Sequence, residues 1–195
     1  MYEDNFDIYP TYEAFYIESM LWHTKSAIRS IEVIESWIQI VKDGNENVLE
    51  VNKDDVFSHL QNIIQQSGAL SRYLWPVQKG ENKEHHRRGL KLRASLNIKG
   101  DSTLKNRTLR NQVEHFDELL DIYLKNITSG HIFPSIIDYD EGIKNIKKHI
   151  FKAFYITPMI FVLLGEKYQL LPIIKELRHM HTALLQCKKN GHRLP

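Results

Sequence analysis

Apolar residues recur at helical spacing along most of the chain, and this pattern predicts a series of amphipathic helices. Polar clusters, Gly and Pro separate the periodic segments, for example Asp43-Gly44-Asn45 and Pro76. Helix N-caps are expected at Asp54 or Asp55 and at Ser102. We therefore expect five helices, over residues 12–41, 54–75, 83–96, 103–127 and 172–188.

The segment after Gly130 has a different pattern, rich in Ile, Phe and Tyr. Residues 150–164 are apolar and are interrupted by Thr157-Pro158, which favours a small β-hairpin closed by residues 165–167. A short buried helix would show the same apolar run and stays open as an alternative. The expected fold is therefore all-α, a helical bundle with a small β-hairpin near the C-terminus, and residues 1–195 form one domain.

Composition is that of a globular chain, with 195 residues, 42% apolar and 26% charged. A single cysteine, Cys187, cannot form an internal disulfide, and no secretion signal opens the sequence. The longest apolar run, residues 153–164, is shorter than the roughly 20 residues of a membrane-spanning helix. We expect a cytoplasmic protein without a membrane partner.

Charge is unevenly distributed although the net charge is only +2. Residues 1–50 hold ten acidic and three basic residues, whereas residues 83–110 hold nine basic and two acidic ones. The two segments could neutralise each other within the fold or across a dimer. The basic segment could instead face solvent and bind phosphate, with RNA as the expected partner. Its candidate nucleic-acid-binding residues are Arg87, Arg88, Lys91 and Arg107.

The predicted helix over 103–127 has three faces when residues are placed about 100° apart. One is an apolar core face and one is charged. The third mixes polar and apolar residues and is neither core nor plainly solvated; it consists of Leu104, Asn111, His115, Leu119 and Ile122. A histidine in such a place is commonly a packing residue. The alternative is that this face meets a second subunit in a two-fold dimer that buries its leucines and isoleucine.

The sequence Arg110-Asn111-Gln112-Val113-Glu114-His115 resembles the signature of the HEPN superfamily, an arginine followed by a polar residue, a short spacer and a histidine. The resemblance implies a helical bundle that dimerises and a metal-independent endoribonuclease without cofactors, in some members a toxin or defence component with an antitoxin or regulatory partner. It implies catalytic roles for Arg110, Asn111 and His115. Other members of the superfamily are non-catalytic binding modules.

The implied chemistry suits these side chains. Histidine titrates near neutrality and can move a proton between the 2′-hydroxyl and the leaving oxygen, which contributes roughly 10²- to 10⁴-fold. Arginine stays charged and binds phosphate through its planar fork. On a straight helix, however, Arg110 and His115 point about 140° apart. A site shared by two subunits, or a helix distorted at the motif, would reconcile the spacing with the chemistry.

One further pattern has the Glu-x-x-His spacing of di-iron helical bundles, Glu176 and His179. No second copy of the pattern is present, so we expect no metal. The sequence thus supports an endoribonuclease first, a non-enzymatic helical module that binds a protein or nucleotide second, and a di-iron enzyme last.

Overall fold

A computed structural model describes residues 8–44, 53–76, 83–106, 108, 111, 115–142 and 147–195. The described part contains five helices and a four-stranded sheet. The helices are α1 (Pro10–Lys42), α2 (Lys53–Leu74), α3 (Lys83–Ser95), α4 (Phe116–Lys125) and α5 (Leu170–Lys189). The strands are β1 (His131–Asp138), β2 (Lys148–Tyr155), β3 (Ile160–Leu163) and β4 (Glu166–Gln169).

Helix α1 is the centre of the helical layer. Its 33 residues pack against both α2 and α5, and its buried face includes Ile17, Leu21, Ile31, Ile34 and Val41. Each such side chain contributes roughly 1.5–3 kcal/mol by leaving water. The predicted bounds of α1, α2, α3 and α5 are confirmed within a few residues. Neither α1 nor any other described helix is long and apolar enough to cross a membrane.

The sheet lies against the C-terminal part of α1 and the N-terminal part of α2. Strand order is β1-β2-β3-β4, with β1 and β2 parallel and the other two pairs antiparallel. On the face toward the helices, Phe154 contacts Trp37 and Phe161 contacts Phe57, with ring centroids 6.3 and 6.4 Å apart. Alternate residues on the opposite face form a second, smaller apolar cluster, which consists of Ala153, Tyr155, Ile160 and Val162.

The expected all-α fold is wrong, because the sheet makes this a mixed α/β protein. The predicted hairpin exists as β2 and β3, but two strands flank it. Neither flanking strand was predicted from the sequence. Pro134 interrupts the pattern of β1, an edge strand that tolerates proline. Strand β4 is short and polar except for Tyr168, and the expected closing residue Gly165 forms the tight turn before it, at φ +81°.

The single helix predicted over 103–127 is also wrong. Residues Thr103–Lys105 form one 3₁₀ turn, and Asn106 after it has an extended backbone. Helix α4 starts only at Phe116, where the preceding His115 has φ −131° and ψ 37°. Apolar periodicity alone cannot show such a break, because the residues on either side keep the same spacing.

Acidic residues of α1 are neutralised by the C-terminal part of the chain. Glu35 pairs with Arg178 at 2.5 Å, Glu18 pairs with Lys188 at 2.6 Å, and the buried Glu13 pairs with Arg193 at 2.7 Å. One expectation was that acidic residues 1–50 neutralise the basic segment 83–110. These three carboxylates instead pair with basic residues of α5 and the C-terminal tail.

Glu176 on α5 holds the segment that leads into the motif. One carboxylate oxygen accepts the Thr103 N–H at 2.7 Å, and the other accepts the Ser102 hydroxyl. Ser102 Oγ in turn accepts the Leu104 N–H at 3.2 Å, so it caps the 3₁₀ turn. This tether fixes the turn to α5 and buries Leu104 in the core.

We expect Glu176→Ala to lower the free energy of unfolding by about 1–3 kcal/mol, because a partly buried backbone N–H and a hydroxyl both lose their acceptor. Glu35→Ala is the matched control, since it removes an exposed ion pair and should cost less than about 1 kcal/mol. Urea unfolding of both variants measures the difference, and equal losses would contradict the tether.

His181 makes stability depend on pH. Its Nδ1 lies 2.9 Å from the buried Thr24 hydroxyl, and its pKa is lowered from 6.5, first by burial and then by the nearby charge of Lys25, with Glu32 opposing. Below pH 6.5 the unfolded chain therefore binds a proton more readily than the folded one. Stability should fall as the pH drops through this range. We expect His181→Asn to show a smaller loss of urea midpoint between pH 7.5 and 5.5 than the wild type, and identical losses would contradict this.

Candidate functional site

Two of the three motif residues are at the surface. Asn111 is exposed and has helical backbone geometry, and His115 is exposed four residues later. The His115 N–H donates to the Asn111 carbonyl at 2.9 Å, so a backbone hydrogen bond joins the two residues. Arg110 and the candidate RNA ligand Arg107 lie outside the described residues. The structure thus brings Asn111 and His115 together and leaves the arginine undescribed.

His115 occupies the position immediately before α4 and has a carboxylate partner. Its Nδ1 lies 3.5 Å from Glu118 Oε2, and 53% of the imidazole is exposed. Because the His115 backbone is not helical, the angle between side chains on a straight helix does not apply across this residue. The Glu118 carboxylate therefore lies beside the imidazole, at a distance longer than that of an ordinary hydrogen bond. The spacing of three residues between His115 and Glu118 is the sequence signal for this pair.

The mixed face expected around the motif does not exist as one surface. Leu104 is fully buried in the core of its own chain, and Leu119 is half-buried against that core. Only Ile122 of the three apolar residues is exposed, together with Leu124 from the expected core face. The prediction that a dimer buries Leu104 is therefore wrong, because the break before α4 turns it away from Ile122.

Helix α3 carries the basic segment and packs against the C-terminal end of α2. Arg93 donates to the Leu74 carbonyl and lies over the Trp75 ring, and Arg88 donates to the Arg72 carbonyl at 3.4 Å. Cations suit this position, since the last carbonyls of a helix carry partial negative charge. The two arginines therefore have structural contacts of their own, which the sequence pattern did not indicate.

Gly89 allows this close approach. A Cβ at that position would lie 2.6 Å from the Leu74 carbonyl oxygen and 2.8 Å from Pro76. Only glycine fits such a gap without movement of backbone. The sequence signal is a lone glycine inside a helical pattern, which commonly marks a packing contact.

The candidate RNA ligands on α3 are partly accessible. Arg87, Arg88 and Lys91 are each half-buried. Among the described residues, no hydrogen bond, ion pair or ring contact joins Arg88 to Asn111 or His115.

Glu176 and His179, the pair with di-iron spacing, both make hydrogen bonds to other parts of the chain. Glu176 accepts the hydrogen bonds described above, and His179 Nε2 lies 3.2 Å from the Leu96 carbonyl. Within the described ranges, no group of three or more potential ligands is placed to hold a metal ion. The pair thus has a structural explanation that connects α5 to the chain before the motif.

Comparison of the chain with protein-family models, with curated proteins and with solved structures finds no match. The likeness to the HEPN signature therefore rests on Arg110, Asn111 and His115 alone.

We expect Gly89→Ala to destabilise the protein by about 1–3 kcal/mol, although alanine favours helix by about 1 kcal/mol, because the added methyl group meets backbone. Gly100→Ala is the control, since nothing lies within 4 Å of its Cβ position. Thermal unfolding of both variants measures the effect. A stabilised Gly89→Ala variant would contradict the close packing of α3 on α2.

Proposed function

We propose that this protein is a metal-independent endoribonuclease whose reaction centres on His115. The observation that carries the proposal is the exposed His115 imidazole beside the Glu118 carboxylate, with the His115 N–H bonded to the carbonyl of an exposed Asn111. An exposed histidine with a carboxylate partner and few packing contacts is suited to proton transfer.

In the proposed reaction, the ribose 2′-oxygen attacks the adjacent phosphorus and the bond to the 5′-oxygen breaks. His115 takes the 2′-hydroxyl proton or protonates the 5′-oxygen, and a second group does the other step. Glu118 Oε2 lies 3.5 Å from Nδ1 and would help to orient the imidazole toward the RNA. Arg110 supplies the fixed cation for the phosphoryl oxygens, and Asn111 contacts the phosphate or orients the histidine.

Two copies of the chain would supply the second proton-transfer group. Ile122 and Leu124, both more than half exposed on α4, give the apolar surface on which a second copy could pack beside the motif. His115 and its two-fold mate would then lie in one cleft at the dimer interface. The basic helix α3, with Arg87, Arg88 and Lys91, would bind the RNA backbone.

A non-catalytic binding module is the second candidate. It is favoured by the exposed aromatic side chains at the start of α1, where Tyr9, Tyr12, Phe15 and Trp22 are 58–73% exposed. Exposed aromatic residues that cluster on one helix are typical of a binding surface. A regulatory protein, such as an antitoxin, is one partner that would suit this surface.

Cleavage of single-stranded RNA by purified protein tests the proposal. We expect His115→Ala to abolish cleavage and to change the free energy of unfolding by less than about 0.5 kcal/mol, since an exposed side chain makes few contacts. Arg110→Lys should also impair cleavage strongly, because a point charge cannot replace a planar phosphate contact. EDTA should have no effect.

His131→Ala is the matched control, since it removes another exposed histidine and should leave cleavage unchanged. EDTA-sensitive cleavage, or cleavage that survives His115→Ala, would contradict the mechanism. A marked loss of stability in His115→Ala with no cleavage by the wild type would instead favour the binding module.

A further inference from the structure

Helix α1 presents an apolar stripe to solvent along most of its length. The stripe consists of Phe15, Trp22, Val33 and Ile40, whose side chains are 43–73% exposed. Because successive residues of a helix lie about 100° apart, all four fall within an arc of roughly 20°. From the first residue to the last, the stripe runs for about 37 Å along the helix. A continuous apolar surface of this length is typical of a protein interface.

The stripe follows the heptad pattern by which two helices pack on each other. Two sets of residues, each spaced by seven, form the outward face of α1. They are Ser19, Ser26, Val33 and Ile40, and Phe15, Trp22, Arg29 and Ser36. The residues on the opposite side of the same repeat, for example Ile17 and Ile31, are fully buried in the core. Helix α1 thus uses one face for its own fold and presents a heptad face to solvent.

The order of side chains along the stripe is complementary to itself when two copies run in opposite directions. The N-terminal part is aromatic, the C-terminal part is aliphatic, and the centre is polar. One antiparallel alignment sets Trp22 against Val33 of the second copy, Phe15 against Ile40, and Ser26 against Arg29. Parallel pairing would instead set each residue against itself, including one Arg29 against the other. The pattern therefore favours the antiparallel arrangement.

Two charged residues beside the stripe fit the same alignment. Lys25 and Glu32 are exposed, and neither side chain has a hydrogen bond or an ion pair within the described part of the chain. In the antiparallel alignment, Lys25 of one copy lies next to Glu32 of the second copy, and the two-fold axis repeats this pair. Opposite charges at such flanking positions determine partner and orientation in paired helices.

A groove between α1 and α2 lies at the aliphatic end of the stripe. It is open, has a volume of about 570 Å³, and is lined by residues that include Val33 and Ile40 from α1 and Val56 from α2. The antiparallel alignment brings Phe15 and Trp22 of the second copy to this end. Large aromatic side chains that fill pockets are typical anchors of protein interfaces. The groove therefore provides space for the aromatic half of the stripe.

The exposed area is sufficient for a specific contact. Tyr12, Phe15 and Trp22 are 58–73% exposed. A whole aromatic side chain has roughly 150–250 Å² of surface, so two copies would bury roughly 800 Å² through these three residues alone. Specific interfaces start at about 1,000 Å². The aliphatic residues and the polar centre of the stripe supply the remainder.

We propose that this stripe binds a second copy of the chain through antiparallel, two-fold packing of α1 on α1. The surface is separate from Ile122 and Leu124 on α4, and the inference does not depend on the proposed cleavage at His115. If the α4 contact of the proposed function also forms, the chain assembles into tetramers. If only the α1 contact forms, it assembles into dimers. In both cases, loss of the α1 contact halves the molecular mass.

Light scattering of the full-length protein, diluted through the micromolar range, tests the proposal. We expect Lys25→Glu and Glu32→Lys each to raise the concentration at which the mass halves by about tenfold or more, because like charges then face each other twice. The double variant Lys25→Glu/Glu32→Lys restores opposite charges and should regain the wild-type mass. Residues seven apart on one helix do not contact each other, so a single chain gives no such rescue.

Val33→Asp should halve the mass at micromolar concentration, because it places a charge against Trp22 of the second copy. Glu35→Lys is the matched control, since it also reverses a charge on α1 but on the side that pairs with Arg178, and it should keep the wild-type mass. All of these positions are exposed, so the variants should fold, and circular dichroism checks this.

Three results would overturn the proposal. The first is a wild type with the mass of a single chain throughout the micromolar range, which would leave the stripe to a different protein. The second is a wild-type dimer that Val33→Asp leaves intact and that Ile122→Glu dissociates, because the contact would then lie on α4 alone. The third is a double charge reversal that stays as dissociated as the single variants, since Lys25 and Glu32 would then not face each other.

Discussion

Helix α1 buries one face along its length, from Ile17 to Val41, against α2 on one side and α5 on the other. This packing determines where most other features lie. The sheet packs on its C-terminal third through Trp37, and its carboxylates pair with bases of α5 and the C-terminal tail. The opposite face of α1 is not covered by these elements, and Trp22 and neighbouring aromatic side chains are exposed there. The pocket lined by His23, Tyr73 and Arg88 lies where α1, α2 and α3 meet, so it is placed by the same contacts that stabilise the fold.

Long periodic segments could be predicted from the sequence because each helix of that kind buries its own apolar face. This holds for α1, α2 and α5, and the hairpin of β2 and β3 was visible from its β-branched residues. The flanking strands were not, since Pro134 breaks the pattern of β1 and β4 has only Tyr168 buried. The break before α4 could not be predicted because the apolar residues on either side of it keep the same helical spacing. The contacts of Glu176 that fix residues 102 and 103 also join parts of the chain that are far apart in the sequence.

The same distinction applies to the sites. Asn111 and His115 could be found because they are local in sequence, and Glu118 follows at helical spacing. The pocket of His23, Tyr73 and Arg88 combines residues from three helices, so no local motif reports it. Apolar spacing alone does not distinguish exposed aromatic residues of α1 from buried ones. The structure shows that Trp22 is on the surface and Trp37 is in the core.

The central claim is that the protein binds RNA at His115 and along the basic helix α3. Photo-cross-linking with single-stranded RNA that carries 4-thiouridine, followed by mapping of the modified peptides, tests it most directly. The account predicts cross-links to the peptide around His115 and to the peptide of α3 that contains Arg87, Arg88 and Lys91. Cross-links confined to other parts of the chain, or none above those of a non-binding control protein, would contradict it.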